Sequence, residues 1–146
     1  MKILLSNRQR RIKIRLERLE GLARKALQAL GLTNAELSIL IVNDSRMRGL
    51  NLMYRGKDRT TDVLAFSMKE GKYSGINPDI LGDIVISANT AKKQAEENGH
   101  GLYDEIALLL IHGILHLTGY DHERGKKEEL RMRKKERELL NRCKRR

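Results

Sequence analysis

Aromatic side chains are scarce: the 146 residues include four tyrosines, Phe66 and no tryptophan. A core with so few rings has to be aliphatic, and a base-stacking platform, which needs exposed aromatic faces, has little to draw on. The one cysteine, Cys143, excludes an intrachain disulfide and lies in a basic segment where it reads as incidental. The one proline, Pro78, leaves no proline-rich linker. The longest strongly apolar run, "IALLLI" at 106–111, falls far short of the ~20 residues that a membrane-spanning helix needs. The opening "MKILLSNRQRR" offers only Ile3, Leu4 and Leu5 in a row before its arginines, too little for a secretory signal. These absences lead us to expect a reduced, cytoplasmic protein with no membrane partner.

Acidic residues are also in deficit, nineteen against thirty Lys+Arg, for a net charge of +11. The imbalance sits at the two ends. Residues 1–25 carry nine basic and two acidic groups, and residues 124–146 carry twelve and four. The middle is mildly acidic, with nine basic and thirteen acidic groups. Basic ends around an acidic centre suit a partner dense in phosphate. A solvated surface rich in Lys, Arg and Glu produces the same counts, so charge alone does not choose between the two.

Hydrophobic periodicity predicts a mixed fold. "KILL" reads as a short strand, and residues 10–30 place Ile12, Leu16, Leu19, Leu22, Ala23, Ala26 and Leu30 near one helical face, with Gly31 as the C-cap. Strands are expected at 36–42, 63–66 and 82–87, and helices at 45–54, from a Ser87 N-cap to Asn98, at 103–118 and at 126–143. Residues 55–62 and 67–80 read as loops. Asp62 and Asp83 stand where strands begin and read as turn or cap residues. The expectation is one α+β layered domain spanning 1–146, a mixed sheet of about four strands in unspecified order, and a basic C-terminal helix or tail at 126–146.

Three of the four histidines fall within "IHGILHLTGYDH", residues 111–122. His112 and His116 are four apart, so a helix stacks them on one face, where their ring nitrogens can converge on one ion. Gly119 lets the chain leave the helix, and the turn through Tyr120 and Asp121 can return His122 as a third ligand. Three imidazoles leave a fourth position open, as catalytic rather than structural sites do. The donor set suits zinc, nickel or copper equally. Asp121 can orient a ligand or simply form the turn. The frame has the spacing of the long zinc-protease motif, but Gly113 stands where that motif has its general-base glutamate. Protease chemistry is therefore disfavoured, and close packing or substrate approach is left to explain a glycine in mid-helix. What remains is a metal able to activate water or polarise an oxyanion.

With those residues in view, "HGILHLTGYDH" resembles the signature of the YbeY family, bacterial metal-dependent endoribonucleases implicated in ribosomal RNA maturation. "LNLMYRGKDRTTDVLAF" (50–66) and "LGDIVI" (81–86) are similar to two further family blocks, in the same order along the chain. The resemblance implies that His112, His116 and His122 bind one zinc ion, or another divalent transition metal such as Ni2+. It also implies that Arg55 is a catalytic arginine near the substrate. A guanidinium can grip phosphate oxygens in a planar fork, although Arg55 paired with Asp58 or Asp62 would be an ordinary surface arginine. The family's usual Ser-Phe-Pro is here Ala65-Phe66-Ser67, and the segment after His122 is unusually basic. The expected function is a zinc-dependent, single-strand-specific endoribonuclease in ribosomal RNA processing and ribosome quality control. Its partners would be RNA and ribosomal particles, not DNA. A ribosome-assembly RNA-binding factor with a structural metal is the alternative, and a metalloprotease the third.

Overall fold

In chain order the elements are β1 (Lys2–Asn7), α1 (Leu16–Ala29), β2 (Glu36–Val42), α2 (Asp44–Arg55), β3 (Val63–Ser67), β4 (Ile80–Ser87), α3 (Ala88–Glu97), α4 (Leu102–Leu117) and α5 (Lys126–Lys144). They come from a computed structural model that describes residues 1–68, 79–119 and 125–144. The four strands form one mixed sheet in the order β1-β2-β4-β3. β1, β2 and β4 run parallel, and β3 pairs antiparallel with β4 as an edge strand. The expected α+β architecture and its four strands are thus observed.

The alternation of the strands decides which helix covers which face. Leu37, Ile39 and Ile41 of β2 share a core with Ile84 and Ile86 of β4, together with α1 and α4 residues such as Leu19, Leu27, Leu110 and Ile114. Val42 and Val85 join Leu64 and the α2 residue Met47 in a smaller cluster, with Leu40 packed against it. This is the period-2 pattern of a sheet covered on both faces. α4 is buried almost all round, from Ile106 through Leu117, and touches α1, α3, α5, β3 and β4. α5 packs on α4 and α1 and buries Met132, Leu139 and Cys143, all at most 4% exposed, so Cys143 is a core residue and not an incidental one. Burial pushes its thiol pKa up, against the opposing charge of Lys25.

Local chemistry sets the boundaries. Asn43 caps α2 by accepting the Arg46 N–H at 2.9 Å, a contact worth about 1 kcal/mol. Ser87 caps α3, as expected, by accepting the Thr90 N–H at 3.4 Å. Gly31, Gly99 and Gly119 take positive φ where helices end. The first helix begins at Leu16 rather than at residue 10. The Gln9 carboxamide donates to the Ile12 carbonyl at 2.7 Å and accepts the Ile12 N–H at 3.0 Å, so residues 9–12 close a turn instead. A side chain that satisfies the backbone locally competes with helix, and periodicity does not register it. Asp83, expected at a strand start, lies inside β4, where its own side chain is exposed, because β4 begins at Ile80. Of the expected loop 67–80, residues 69–78 lie outside the described residues.

Gly82 allows the edge strand to close onto the sheet. Its φ is +143°, and a Cβ built there would stand 2.0 Å from the Phe66 carbonyl oxygen. Gly82→Ala is expected to destabilise the protein by roughly 2–6 kcal/mol, combining overpacking against backbone with a forbidden φ. Gly99→Ala, also at positive φ but with no neighbour within 4 Å, is expected to cost about 1–2 kcal/mol. Urea unfolding of the two variants checks the contrast; equal losses would refute the backbone-clash account.

Candidate metal centre

α4 and β3 form two walls of an open cleft of about 570 Å3, which residues of the loop after α2 also line. His112, Gly113 and His116 line one wall; Val63, Ala65 and Ser67 line the other, with Arg55, Lys57 and Arg59 at the rim. One helical turn separates the two histidines, and their Nε2 atoms stand 3.1 Å apart. The rings meet edge to face, with centroids 4.6 Å apart. Two nitrogens bound tetrahedrally to one zinc at about 2.0–2.1 Å would be roughly 3.3 Å apart, so this pair fits an ion held between the rings. Without an ion the same separation is an N–H···N hydrogen bond. His122, expected as the third ligand, lies outside the described residues, as do Tyr120 and Asp121. Among the described residues no group of three or more His, Cys, Asp and Glu side chains is arranged to hold a metal ion.

Arg55 reaches the cleft from the last turn of α2, not from a loop. It donates through Nη2 to the Ala65 carbonyl at 2.7 Å, and its guanidinium lies 5.1 Å from the centroid of the Phe66 ring. One of five N–H donors goes to that carbonyl, and the remainder suit an anion in the cleft. Neither aspartate considered as its partner takes it. Asp58 holds Arg48 instead, with Oδ1 2.7 Å from Nε and Oδ2 3.2 Å from Nη2. That bidentate pair lowers the Asp58 pKa and raises that of Arg48. Asp62 accepts the Val63 N–H at 2.7 Å and so caps β3, as expected of a turn residue.

Comparison with known proteins decides the family. The family model described as "Endoribonuclease YbeY" matches residues 4–144. An Endoribonuclease YbeY of Geobacter metallireducens is 49% identical over 141 residues, covering 96% of this chain and 94% of that protein. Another, from Aquifex aeolicus, is 50% identical over 129 residues, covering 88% and 84%. The chain belongs to the YbeY family. The solution structure of TM1509 from Thermotoga maritima matches with a TM-score of 0.67 at 27% identity, covering 97% of this chain and 88% of that one.

Two residues of this YbeY chain gain a structural explanation. A Cβ at Gly113 would stand 3.0–3.2 Å from three side-chain atoms of Ile84. The glycine therefore serves the close approach of α4 to β4. A glutamate there would enter the core, so a protease base cannot be restored at that position without moving the helix. The second residue is Glu136 of α5, which sequence reasoning missed: its Oε1 lies 2.5 Å from His112 Nδ1. The signal was present in the spacing, because Glu136 interrupts the apolar stripe Met132–Leu139–Cys143.

The cleft loop is tied down from below. Asp44 Oδ1 accepts the hydroxyls of Ser87 at 2.5 Å, Thr90 at 2.6 Å and Thr60 at 3.3 Å, which fastens the loop after α2 to the start of α3. Partial burial works to raise the Asp44 pKa, but the three hydroxyls and the Lys93 charge prevail and hold it below the ordinary 3.8. A depressed carboxylate pKa contributes stability that is present above the unfolded value and lost as pH falls through the folded one. Asp44→Asn should therefore lose about 1 kcal/mol at neutral pH, with the deficit shrinking below pH ~4 as the wild-type carboxylate protonates. Urea midpoints from pH 7 down to pH 2.5 check this; a deficit that is constant across that range would exclude the ionised form as its source.

Proposed function

We propose that this chain is a zinc-dependent endoribonuclease that cleaves single-stranded RNA in ribosomal RNA processing and ribosome quality control in the cytoplasm. The observation that carries the reading is one cleft lined by the His112–His116 imidazole pair of α4 and by Arg55, which is bonded to the β3 wall through the Ala65 carbonyl, in a chain of the YbeY family. His112 and His116, with His122 as the third ligand, would hold the metal. Zinc there would supply an electrophile for a phosphoryl oxygen and an acidified water; Ni2+ or another divalent ion fits the same donors.

The chain's own groups do the rest. Arg55 grips a non-bridging phosphate oxygen in its planar fork and stabilises charge that develops there. Lys57 and Arg59 at the rim draw the sugar–phosphate backbone in. The reacting phosphate must pass between α4 and β3, a demand that an unpaired strand meets more readily than a duplex.

The two rival readings fit less well. A structural metal would be needed where the core is thin, yet the aliphatic core closes without the histidines, and the His112 side chain keeps 33% of its exposure. A metalloprotease lacks its base, because Gly113 packs on Ile84.

The deciding experiment combines elemental analysis with single-turnover cleavage of an unstructured RNA oligonucleotide. The purified protein should carry about one zinc per chain and lose activity to a chelator without unfolding. His116→Ala should lose both metal and cleavage. Arg55→Ala should lower the rate about 10²–10³-fold, with metal content and thermal unfolding nearly unchanged. Arg55→Lys should recover part of the rate, since an ammonium keeps the charge but not the fork. Full activity in a His112/His116 double variant would end the metal reading, and a fully active Arg55→Ala would remove Arg55 from the site.

RNA affinity should also fall steeply with salt, because binding through phosphates releases counterions. Charge-reversing substitutions on the exposed face of α5, such as Arg133→Glu and Lys134→Glu, should weaken binding and flatten the slope. An affinity indifferent to salt would mean that the excess charge serves only as a solvated surface.

A further inference from the structure

α5 carries Met132, Glu136, Leu139 and Cys143 at steps of four, three and four, which is one face of a helix. The three apolar members are 1%, 1% and 4% exposed. Glu136 stands among them with 21% of its side chain accessible. A carboxylate turned inward is costly unless it finds a hydrogen-bond donor, and the donor here is a cleft imidazole: Glu136 Oε1 lies 2.5 Å from His112 Nδ1.

We propose that Glu136 is a positioning residue for the metal centre, fixing the tautomer and ring angle of His112 so that Nε2 faces the ion. The proposal rests on the reading of His112 as a ligand. A carboxylate can only accept, so the shared hydrogen resides on Nδ1 of His112. Nε2 then carries the lone pair, and it is the atom that meets His116 Nε2 at 3.1 Å. The orienting group sits on a rigid support. α5 is packed on α1 and α4 through its apolar stripe, and Lys25 Nζ donates to the Cys143 carbonyl at 3.3 Å. Partners of this kind govern metal affinity in histidine sites by holding the ligand ready before the ion arrives.

A second pair shows what a purely architectural version looks like. His100 Nε2 meets Glu105 Oε1 at 2.7 Å, with Asn98 donating to the same oxygen at 3.1 Å. That cluster closes the corner between α3 and α4, and none of its members lines the cleft. It supplies an internal control.

The test uses the full chain stripped of metal and then titrated with zinc against a chromophoric chelator. Glu136→Leu completes the apolar stripe and leaves the Nδ1–H of His112, whose side chain is 33% exposed, to bond to water, so thermal unfolding of the metal-free protein should change little. Its zinc affinity should nevertheless fall about 10–100-fold. Glu136→Gln should lose less, because the carboxamide oxygen still accepts the Nδ1 hydrogen. Glu105→Gln should leave zinc affinity unchanged. Long-range 1H–15N spectra of the metal-free wild type should show His112 as the Nδ1–H tautomer, and Glu136→Leu should show a tautomer mixture. Wild-type zinc affinity in a folded Glu136→Leu protein would overturn the proposal. A wild type that binds no zinc would instead overturn the metal reading beneath it. The two failures are distinguishable, since the tautomer spectra report the Glu136–His112 pair without any metal.

Discussion

The closeness of α4 to β4 at Gly113 sets the geometry of everything near the cleft. With no side chain at that position, the helix backbone settles against Ile84, and Ile106, Leu110, Ile111 and Ile114 of α4 join the aliphatic core. Protein interiors accommodate little added volume, so a side chain at 113 would press on Ile84, and one larger than alanine would have to enter the core between α4 and β4. The glycine that removes a protease base is thus the same glycine that lets α4 lie close on β4.

The opposite wall depends on β3. This strand is antiparallel to β4 and occupies the sheet edge, so its outer side is open to the cleft rather than to another strand. Arg55 bonds to the Ala65 carbonyl on that strand, and the Asp44 cluster secures the intervening loop to α3. Helix, strand and loop are each anchored to the same core, and the gap between imidazoles and guanidinium is accordingly a property of the whole fold. Groups held this way need little reorganisation when charge develops between them.

The charge surplus takes on a shape in three dimensions. α5 is joined to the cleft wall through Glu136, which reaches His112, and it carries Arg133 and Lys134 on its exposed face. Two of the N-terminal arginines lie at the start of α4: Arg15 N–H donates to the Tyr103 hydroxyl and Arg18 stacks on the Tyr103 ring. Thirteen helical steps along α4 separate Tyr103 from His116, about 20 Å. Beyond a Debye length of about 8–10 Å, that end of the molecule acts on a long polyanion rather than on the reacting phosphate.

Periodicity alone determined the element types, because apolar residues recur at 2.0 or 3.6 according to which backbone buries them. It also determined that His112 and His116 share a helical face, since four residues make about one turn. The blocks around Arg55 and the histidines were sufficient to indicate the family. Tertiary structure decided what depends on distant partners. The start of α1 was set by the Gln9 side chain closing on Ile12, which no hydrophobic pattern registers. The strand order β1-β2-β4-β3, the Gly113–Ile84 contact and the identity of the Arg48–Asp58 pair each join residues whose separation in sequence says nothing of their distance. Glu136 is the clearest case. Its place on an apolar stripe was legible, but its partner lies 24 residues away on another helix, and only the packing of α5 on α4 brings the carboxylate to the imidazole.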